Sequence, residues 1–112
     1  MTEFRTIGLD AFLQHLTKEA RYYVSIDVDA FDMSLVPGCV SAEPNGFLHG
    51  ELRDTLRAIA ERVDVVGFDF VEANPQLDVG TGVTSYLGVQ TIVVFLANIC
   101  DQPRWVQRHA SE

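Results

Sequence analysis

The sequence Tyr22-Tyr23-Val24-Ser25-Ile26-Asp27-Val28-Asp29 is a run of β-forming residues that ends in two aspartates separated by a single valine. Such a run predicts a buried strand that delivers two carboxylates at its carboxyl end. In open α/β sheets, ligands and metals collect at that end of the strands. Two ionised carboxylates so close repel each other, and a cation between them removes the repulsion. Asp27 and Asp29 are therefore predicted metal ligands, of the oxygen type that suits Mg²⁺ or Mn²⁺.

Other proteins use an Asp-x-Asp pair differently, and spacing tests one of these alternatives. An EF-hand loop starting at Asp27 would need glycine at its sixth position and glutamate at its twelfth, where this chain has Asp32 and Gly38. That possibility is excluded. A glycosyltransferase-type pair, which binds a metal and a nucleotide diphosphate, stays open on the motif alone. A plain turn, in which one aspartate caps the loop, also stays open.

The hydrophobic periodicity along the rest of the chain predicts an α/β fold. The predicted elements are a helix at 9–20, a strand at 22–27, a loop at 30–50, a helix at 51–62, a strand at 65–71, a loop at 72–82 and a helix at 83–99. This order is that of a right-handed βαβ unit with flanking helices and a parallel sheet. Near-continuous apolar strands predict a sheet covered on both faces, a three-layer α/β/α architecture. Because two strands make little sheet, we expect a piece of a larger domain or a partner chain.

Glu72 is a candidate for binding a planar cation. It follows the second predicted strand directly. If the two strands are parallel neighbours, Glu72 leaves the sheet at the same edge as Asp27 and Asp29. A carboxylate in that place suits a guanidinium group, which offers paired hydrogen-bond donors. The alternative is a glutamate at the edge of a loop that pairs with a nearby arginine.

The composition is that of a small acidic domain. The 112 residues leave room for one domain at most, and 47% are hydrophobic, enough to form a core. The 16 acidic and 8 basic residues give a net charge of −8, which argues against binding nucleic acid or an anionic membrane. We expect no membrane span, because the longest apolar stretch, residues 83–100, contains several polar residues and is better explained as a buried helix.

The cysteines and histidines carry little signal. Cys39 and Cys100 lack the spacing of a zinc site or a disulfide framework, so we expect a reducing, cytoplasmic location. We expect Cys39 to be a small packing residue. The N-terminus lacks the basic and apolar segments of a signal peptide. His15, His49 and His109 are scattered along the chain, and we assign none of them a catalytic role.

Several motifs combine into a family pattern. The first is Ser25-Ile26-Asp27-Val28-Asp29, followed by Pro37-Gly38 and then Gly46. The second is Gly67-Phe68-Asp69-Phe70-Val71-Glu72-Ala73-Asn74-Pro75. Together they resemble the C-terminal motifs of the ureohydrolase superfamily, the arginases and agmatinases. Glu43-Pro44 is more similar to the agmatinase branch than to arginase.

The resemblance implies an enzyme with two Mn²⁺ ions that hydrolyses a guanidino group to urea and an amine. On that basis Asp27 and Asp29 match the last two metal ligands of the family. Glu72 matches the acidic residue that receives the guanidinium end of the substrate. The complete enzyme is expected to be a homo-oligomer. Met33 and Cys39 depart from the pattern, standing where the family usually has proline and agmatinases commonly have threonine.

The resemblance also implies that the chain is incomplete as an enzyme. The family's earlier metal ligands sit in a Gly-Gly-Asp-His segment and an Asp-x-His-x-Asp segment, and neither occurs in these 112 residues. Residues 1–112 therefore resemble one partial domain, with the motifs at 22–100 and a polar tail at 101–112. We expect little activity from the chain alone. The alternative is a non-catalytic fragment or interaction module that needs a partner chain.

Overall fold

The computed structural model describes residues 1–78 and 80–110 of the chain. The elements follow in the order α1 (Thr2–Ile7), α2 (Leu9–Leu13), β1 (Arg21–Asp27), α3 (His49–Arg62), β2 (Asp64–Val71), α4 (Val83–Cys100) and α5 (Pro103–His109). Two short 3₁₀ turns, Val28–Ala30 and Met33–Leu35, lie in the loop between β1 and α3. The predicted order of strand, helix, strand and helix is confirmed.

The two strands pair in parallel, as the order of the elements predicts. In the register, Ser25 is the partner of Asp69, and Asp27, the last residue of β1, is the partner of Val71. The register shifts once, between Tyr22 and Tyr23. Because the strands run the same way, both of them end at one edge of the sheet.

One face of the sheet packs against helices and forms the core. Ile26 on β1 is buried there, and the ring of Phe68 on β2 contacts Phe95 of α4 in an edge-to-face arrangement, with centroids 4.9 Å apart. Gly88 lets α4 approach the sheet, since a Cβ at that position would lie 2.9 Å from the ring of Phe70. The core therefore sits between the sheet and α3 with α4.

The opposite face of the sheet is exposed, as expected for a piece of a larger three-layer α/β/α domain or for a chain that needs a partner to cover it. Side chains alternate along a strand, and those of Tyr23 and Ser25 point away from buried Ile26. Tyr23 is 62% exposed. Its hydroxyl donates to Asp69 Oδ2 at 3.1 Å, and the Ser25 hydroxyl donates to Asp69 Oδ1 at 2.7 Å. The helices in the described part of the chain cover only the other face.

The last long helix, α4, is buried on one side only. Phe95 is 1% exposed, whereas Val93 is 58% exposed. The prediction of a helix here is confirmed, and the prediction that it is buried holds for one stripe. By length and composition α4 is the one helix among the described residues that could cross a membrane, and 28% of it is buried. Core helices meet the same criterion, so this finding does not identify a membrane span.

The N-terminal helix prediction is partly wrong. The helix predicted at 9–20 ends at Leu13, and a separate helix, α1, precedes it across Gly8, whose φ is 85°. Beyond Leu13 the ring Nδ1 of His15 lies 3.1 Å from a main-chain carbonyl oxygen of α2, and the chain turns instead of continuing the helix. Helix α5 lies in the tail predicted as polar, and Pro103 at its first position is a helix-start signal that periodicity alone misses.

Arg5 makes most of the polar contacts that hold helix α1 on the rest of the chain. Arg5 donates to both carboxylate oxygens of Glu51 at 2.8 Å, to the carbonyl oxygen of Gly46 at 2.8 Å, and to the side chain of Asn45. The hydrogen bonds from Arg5 lower the pKa of Glu51 to about 2. Arg5 thus ties the N-terminus to the loop after β1 and to the start of α3.

We expect the Arg5–Glu51 pair to make stability depend on pH. Because the pKa of Glu51 falls from its ordinary value of 4.5 to about 2 on folding, the pair stabilises the fold above pH 4.5. That contribution is lost as the pH falls toward 2. The Tm difference between the wild type and Glu51→Gln should be largest at pH 7 and shrink below pH 4.5, and Arg5→Ala should behave alike. A difference that is the same at pH 7 and pH 3 would contradict this account.

Phe95 should be the side chain of α4 on which stability most depends. Phe95→Ala removes a buried ring that contacts Phe68, and we expect the free energy of unfolding to fall by about 3–5 kcal/mol. Urea unfolding followed by circular dichroism measures the change. Val93→Ala, two positions away on the exposed side, is the matched control and should change stability by about 0.5 kcal/mol or less. Equal losses in the two variants would mean that the described packing of α4 is wrong.

Candidate metal centre

The two predicted ligands lie at the carboxyl end of β1. Asp27 is the last residue of the strand and is exposed, and Asp29 is half-buried in the 3₁₀ turn that follows. The main-chain N–H of Asp29 donates to Asp27 Oδ1 at 2.8 Å. Between them Val28 is fully buried in the core. Val28 therefore anchors the turn while the aspartates lie at its surface.

The carboxylate of Asp29 is held by two donors from the loop after β1. The Cys39 thiol donates to Oδ1 at 2.6 Å, and the Ser41 hydroxyl donates to Oδ2 at 2.5 Å. These hydrogen bonds, from Cys39 first and Ser41 second, lower the pKa of Asp29. Burial, and then the bond to Asp29, raises the pKa of the Cys39 thiol. Cys39 thus packs against the core, as expected, and also orients a candidate ligand.

Glu72 leaves the sheet at the same edge as the aspartates. It directly follows Val71, the register partner of Asp27. Its φ is 70°, a left-handed conformation that is uncommon outside glycine. Such backbone conformations occur preferentially at functional sites, where the surrounding structure holds them in place. The left-handed backbone conformation of Glu72 indicates a functional site, and it could not be predicted from the sequence.

The loops that carry the candidate residues are joined to each other. The N–H of Asn74 donates to the carbonyl oxygen of Gly38 at 2.9 Å, and the N–H of Gly38 donates to Thr84 Oγ1 at 2.8 Å. Asp78 accepts from the N–H groups of Thr84 at 3.0 Å and Ser85 at 2.9 Å, so it caps α4. A Cβ on Gly38 would lie 2.8 Å from Asp78 Cβ. Glycine at this position is therefore a packing requirement.

Sequence reasoning missed two residues of this region. Ser41 had no role assigned to it, although hydroxyl residues commonly orient carboxylates near metal sites. Asp78 stands shortly before α4, where an acidic residue is a helix-start signal that could have been used. The hydrogen bonds from the N–H groups of Ser85 and Thr84, Ser85 first, lower the pKa of Asp78.

The carboxylate ligands in this region are of the type that a divalent ion prefers, but there are too few of them to fill its coordination. Asp27 and Asp29 supply carboxylate oxygens, the ligands that Mg²⁺ and Mn²⁺ prefer. Among the described residues, 1–78 and 80–110, no three or more His, Cys, Asp or Glu side chains form a group that could hold a metal. The three histidines therefore join no such group. The arrangement is half of a carboxylate site.

Comparison with known proteins identifies the family. A model of the arginase family matches residues 1–97. The chain belongs to the arginase family. That membership leaves the glycosyltransferase alternative without support, since both predicted motifs lie within the matched residues.

Several arginase-family enzymes match more than half of the chain. It is 42% identical over 69 residues to N(1)-aminopropylagmatine ureohydrolase of Thermus thermophilus, covering 62% of this chain and 23% of that protein. It is 40% identical over 70 residues to the mitochondrial arginase of Medicago truncatula, covering 62% of this chain and 20% of that protein. The chain thus spans about a fifth to a quarter of these relatives, which fits the C-terminal portion that the motifs predict.

Solved structures show the same fold. Proclavaminate amidinohydrolase from Streptomyces clavuligerus aligns with a TM-score of 0.77 at 29% identity, covering 88% of this chain and 34% of that one. Formimidoylglutamase from Bacillus subtilis aligns with a TM-score of 0.76 at 27% identity, covering 88% and 32%. These structures confirm an arginase-fold α/β architecture, of which the chain is a part. The ligand roles of Asp27 and Asp29 and the substrate role of Glu72 stay predictions.

We expect Cys39 and Ser41 to set the pKa of Asp29. Cys39→Ala should raise that pKa toward its ordinary value, and Ser41→Ala should raise it less, because Cys39 is the larger cause. The pH dependence of the Asp29 carboxyl carbon, observed by NMR, measures both shifts. Ser34→Ala is the matched control: its hydroxyl bonds Asp32, so it should raise the pKa of Asp32 and leave that of Asp29 in place. An Asp29 pKa that is insensitive to both loop variants would contradict the described contacts.

Proposed function

We propose that this chain is the C-terminal part of an agmatinase-like, manganese-dependent amidinohydrolase that hydrolyses a guanidino group to urea and an amine. The observation that carries the proposal is the shared sheet edge of Asp27, Asp29 and Glu72 in a chain of the arginase family. Three carboxylates at one edge suit a cationic site that binds metal and guanidinium together.

In this proposal Asp27 and Asp29 hold part of a pair of Mn²⁺ ions. When bound, such a pair lowers the pKa of a water molecule and makes hydroxide available at neutral pH. The chain's own contribution is orientation. Cys39 and Ser41 fix the two oxygens of Asp29, and buried Val28 fixes the turn between the aspartates. Neighbouring residues that orient a ligand in this way commonly tune metal affinity.

Glu72 would bind the guanidinium end of the substrate. A carboxylate matches the planar, paired donors of that group and holds its carbon in a fixed place. An open pocket beside Asp29 is lined by Glu43 and Asn45 as well. Glu43 adds a carboxylate beside Asp29, and the group it would suit is a cationic amine at the other end of the substrate, as in agmatine. This supports the agmatinase-like assignment, alongside matches to enzymes named for agmatine and aminopropylagmatine.

The proposal includes dependence on further polypeptide. The missing ligands, the exposed sheet face and the short span relative to characterised relatives all support a site completed by upstream elements. We further propose a cytoplasmic location, since Cys39 and Cys100 are free thiols, and a homo-oligomeric complete enzyme. The net charge of −8 supports a small cationic substrate and no nucleic-acid or membrane partner.

A second candidate function is a non-catalytic interaction module. The exposed sheet face with Tyr23, Ser25 and Asp69 favours it, because a partner chain could cover that face. The two proposals differ in their dependence on metal. A module would bind its partner with Asp27 and Asp29 replaced by asparagine, whereas the enzyme would lose its function.

Manganese binding and urea release test the enzymatic proposal. We expect the full 112-residue chain to bind Mn²⁺ weakly in calorimetry and to release little or no urea from agmatine, because its coordination is incomplete. Asp27→Asn and Asp29→Asn should each abolish the Mn²⁺ binding. Asp54→Asn, an exposed aspartate on α3 paired with Arg53, is the matched control and should leave it unchanged.

Two results would overturn the proposal. If the chain as a monomer turned over agmatine robustly, the half-site would be wrong. If Asp54→Asn weakened Mn²⁺ binding as much as the motif variants, the bound metal would be a general effect of acidic charge.

A further inference from the structure

Residues 43–47, the pocket loop, form one wall of the open pocket beside Asp29, which has a volume of about 280 Å³. Met1, which precedes α1, lines the same pocket. Glu43 is an exposed residue of the pocket loop, so its carboxylate is accessible to a ligand. What the pocket selects therefore depends on where the pocket loop places Glu43 relative to Asp29.

The pocket loop has an unusual backbone that other parts of the chain must hold in place. Asn45 has a φ of 64°, in the left-handed region. Asparagine tolerates this region better than most residues, but such a conformation persists only where contacts fix it. The N–H of Met33 donates to the carbonyl oxygen of Glu43 at 3.0 Å, and the N–H of Phe47 donates to that of Ala30 at 2.8 Å. These two bonds attach the ends of the pocket loop to the segment that follows β1.

Helix α1 holds the middle of the pocket loop. Arg5 donates to Asn45 Oδ1 and to the carbonyl oxygen of Gly46, while its guanidinium also binds both carboxylate oxygens of Glu51. Asn45 Nδ2 in turn donates to Thr2 Oγ1 at 3.0 Å. A guanidinium can serve three partners at once because its donors form a rigid planar fork, which the ammonium of lysine does not offer. Arg5 therefore fixes the pocket loop against the start of α3.

We propose that Arg5 is a positioning residue for substrate selectivity. Through the pocket loop it places Glu43 where the carboxylate pairs with the amine end of a guanidino substrate. The inference rests on the proposed function, in which Glu72 binds the guanidinium end. Because Glu43 is exposed, the pairing contributes about two- to fivefold in affinity. Helix α1, which precedes both sequence motifs, is then part of the substrate site.

Ligand binding to the full 112-residue chain tests this inference with two probes that differ only in the amine. Agmatine carries a guanidinium and an amine, whereas n-butylguanidine carries the guanidinium alone. NMR titration, with Mg²⁺ as a diamagnetic ion that carboxylates bind, gives both dissociation constants. We expect the wild type to prefer agmatine by about threefold, and Glu43→Gln to lose most of that preference. Arg5→Lys should lose it as well, because it keeps the charge and removes the fork.

Arg104→Lys is the matched control for loss of stability. Arg104 also anchors a helix, since it donates to the carbonyl oxygens of Ala60 at 2.7 Å and Glu61 at 3.0 Å. These acceptors lie at the opposite end of α3 from Glu51. The variant should lower the Tm and keep the preference for agmatine.

Hydrogen exchange gives a readout that does not depend on any ligand. The N–H groups of Met33 and Phe47 bond the two ends of the pocket loop, so their exchange reports whether the loop is held. Exchange at both should become faster in Arg5→Lys and stay as in the wild type in Arg104→Lys.

Three results would overturn the proposal. The first is a preference for agmatine that survives Arg5→Lys, since Arg5 would then not position Glu43. The second is an equal loss of preference in Arg104→Lys, which would mean general destabilisation. The third is a wild type without any preference. If its exchange still responds to Arg5→Lys, the contact stands and the proposed amine-bearing substrate is wrong; if it does not respond, the described contact itself is wrong.

Discussion

The parallel register of β1 and β2 is the constraint on which the rest of the structure depends. Because Asp27 is the partner of Val71, the carboxylates that leave the two strands emerge at one edge of the sheet. An antiparallel pairing of the same residues would send Glu72 to the opposite edge from Asp27. The helix α3 between the strands is what makes the parallel arrangement possible, since parallel neighbours need a crossover of this kind.

The loops after β1 and β2 then hold the residues at that edge in a fixed arrangement. Val28 anchors the turn after β1, and two donors from the following loop hold Asp29. The loop after β2 is attached to the first loop through Gly38, and Asp78 attaches it to the start of α4. Residues that look like turn signals in the sequence thus also form the contacts between the two loops. Their glycine is required because backbone and side chains approach more closely than a Cβ permits.

Periodicity predicted the parts of the fold that bury a continuous apolar stripe. The two strands, α3 and α4 all have such stripes, and their bounds agree closely with the structure. The helix predicted at 9–20 ends early because the turn after Leu13 depends on local backbone geometry that a stripe does not encode. Within the site, Asp27, Asp29 and Glu72 lie at the predicted edge. The contact of Ser41 with Asp29 could not be predicted, because it depends on how a long irregular loop folds back.

Two surfaces of this chain lack cover, and their chemistry differs. On the exposed sheet face the carboxylate of Asp69 accepts hydrogen bonds from Tyr23 and Ser25. The polar side chains of this face therefore have hydrogen-bond partners while the face is exposed to water. Burying that charge would be costly unless the covering layer supplied a partner for it. The exposed side of α4, with Val89 and Val93, carries no charged group, and water is an unfavourable environment for these valines. A polar face tolerates solvent and selects what covers it by charge, whereas an apolar stripe gains from any close-packed cover of matching shape.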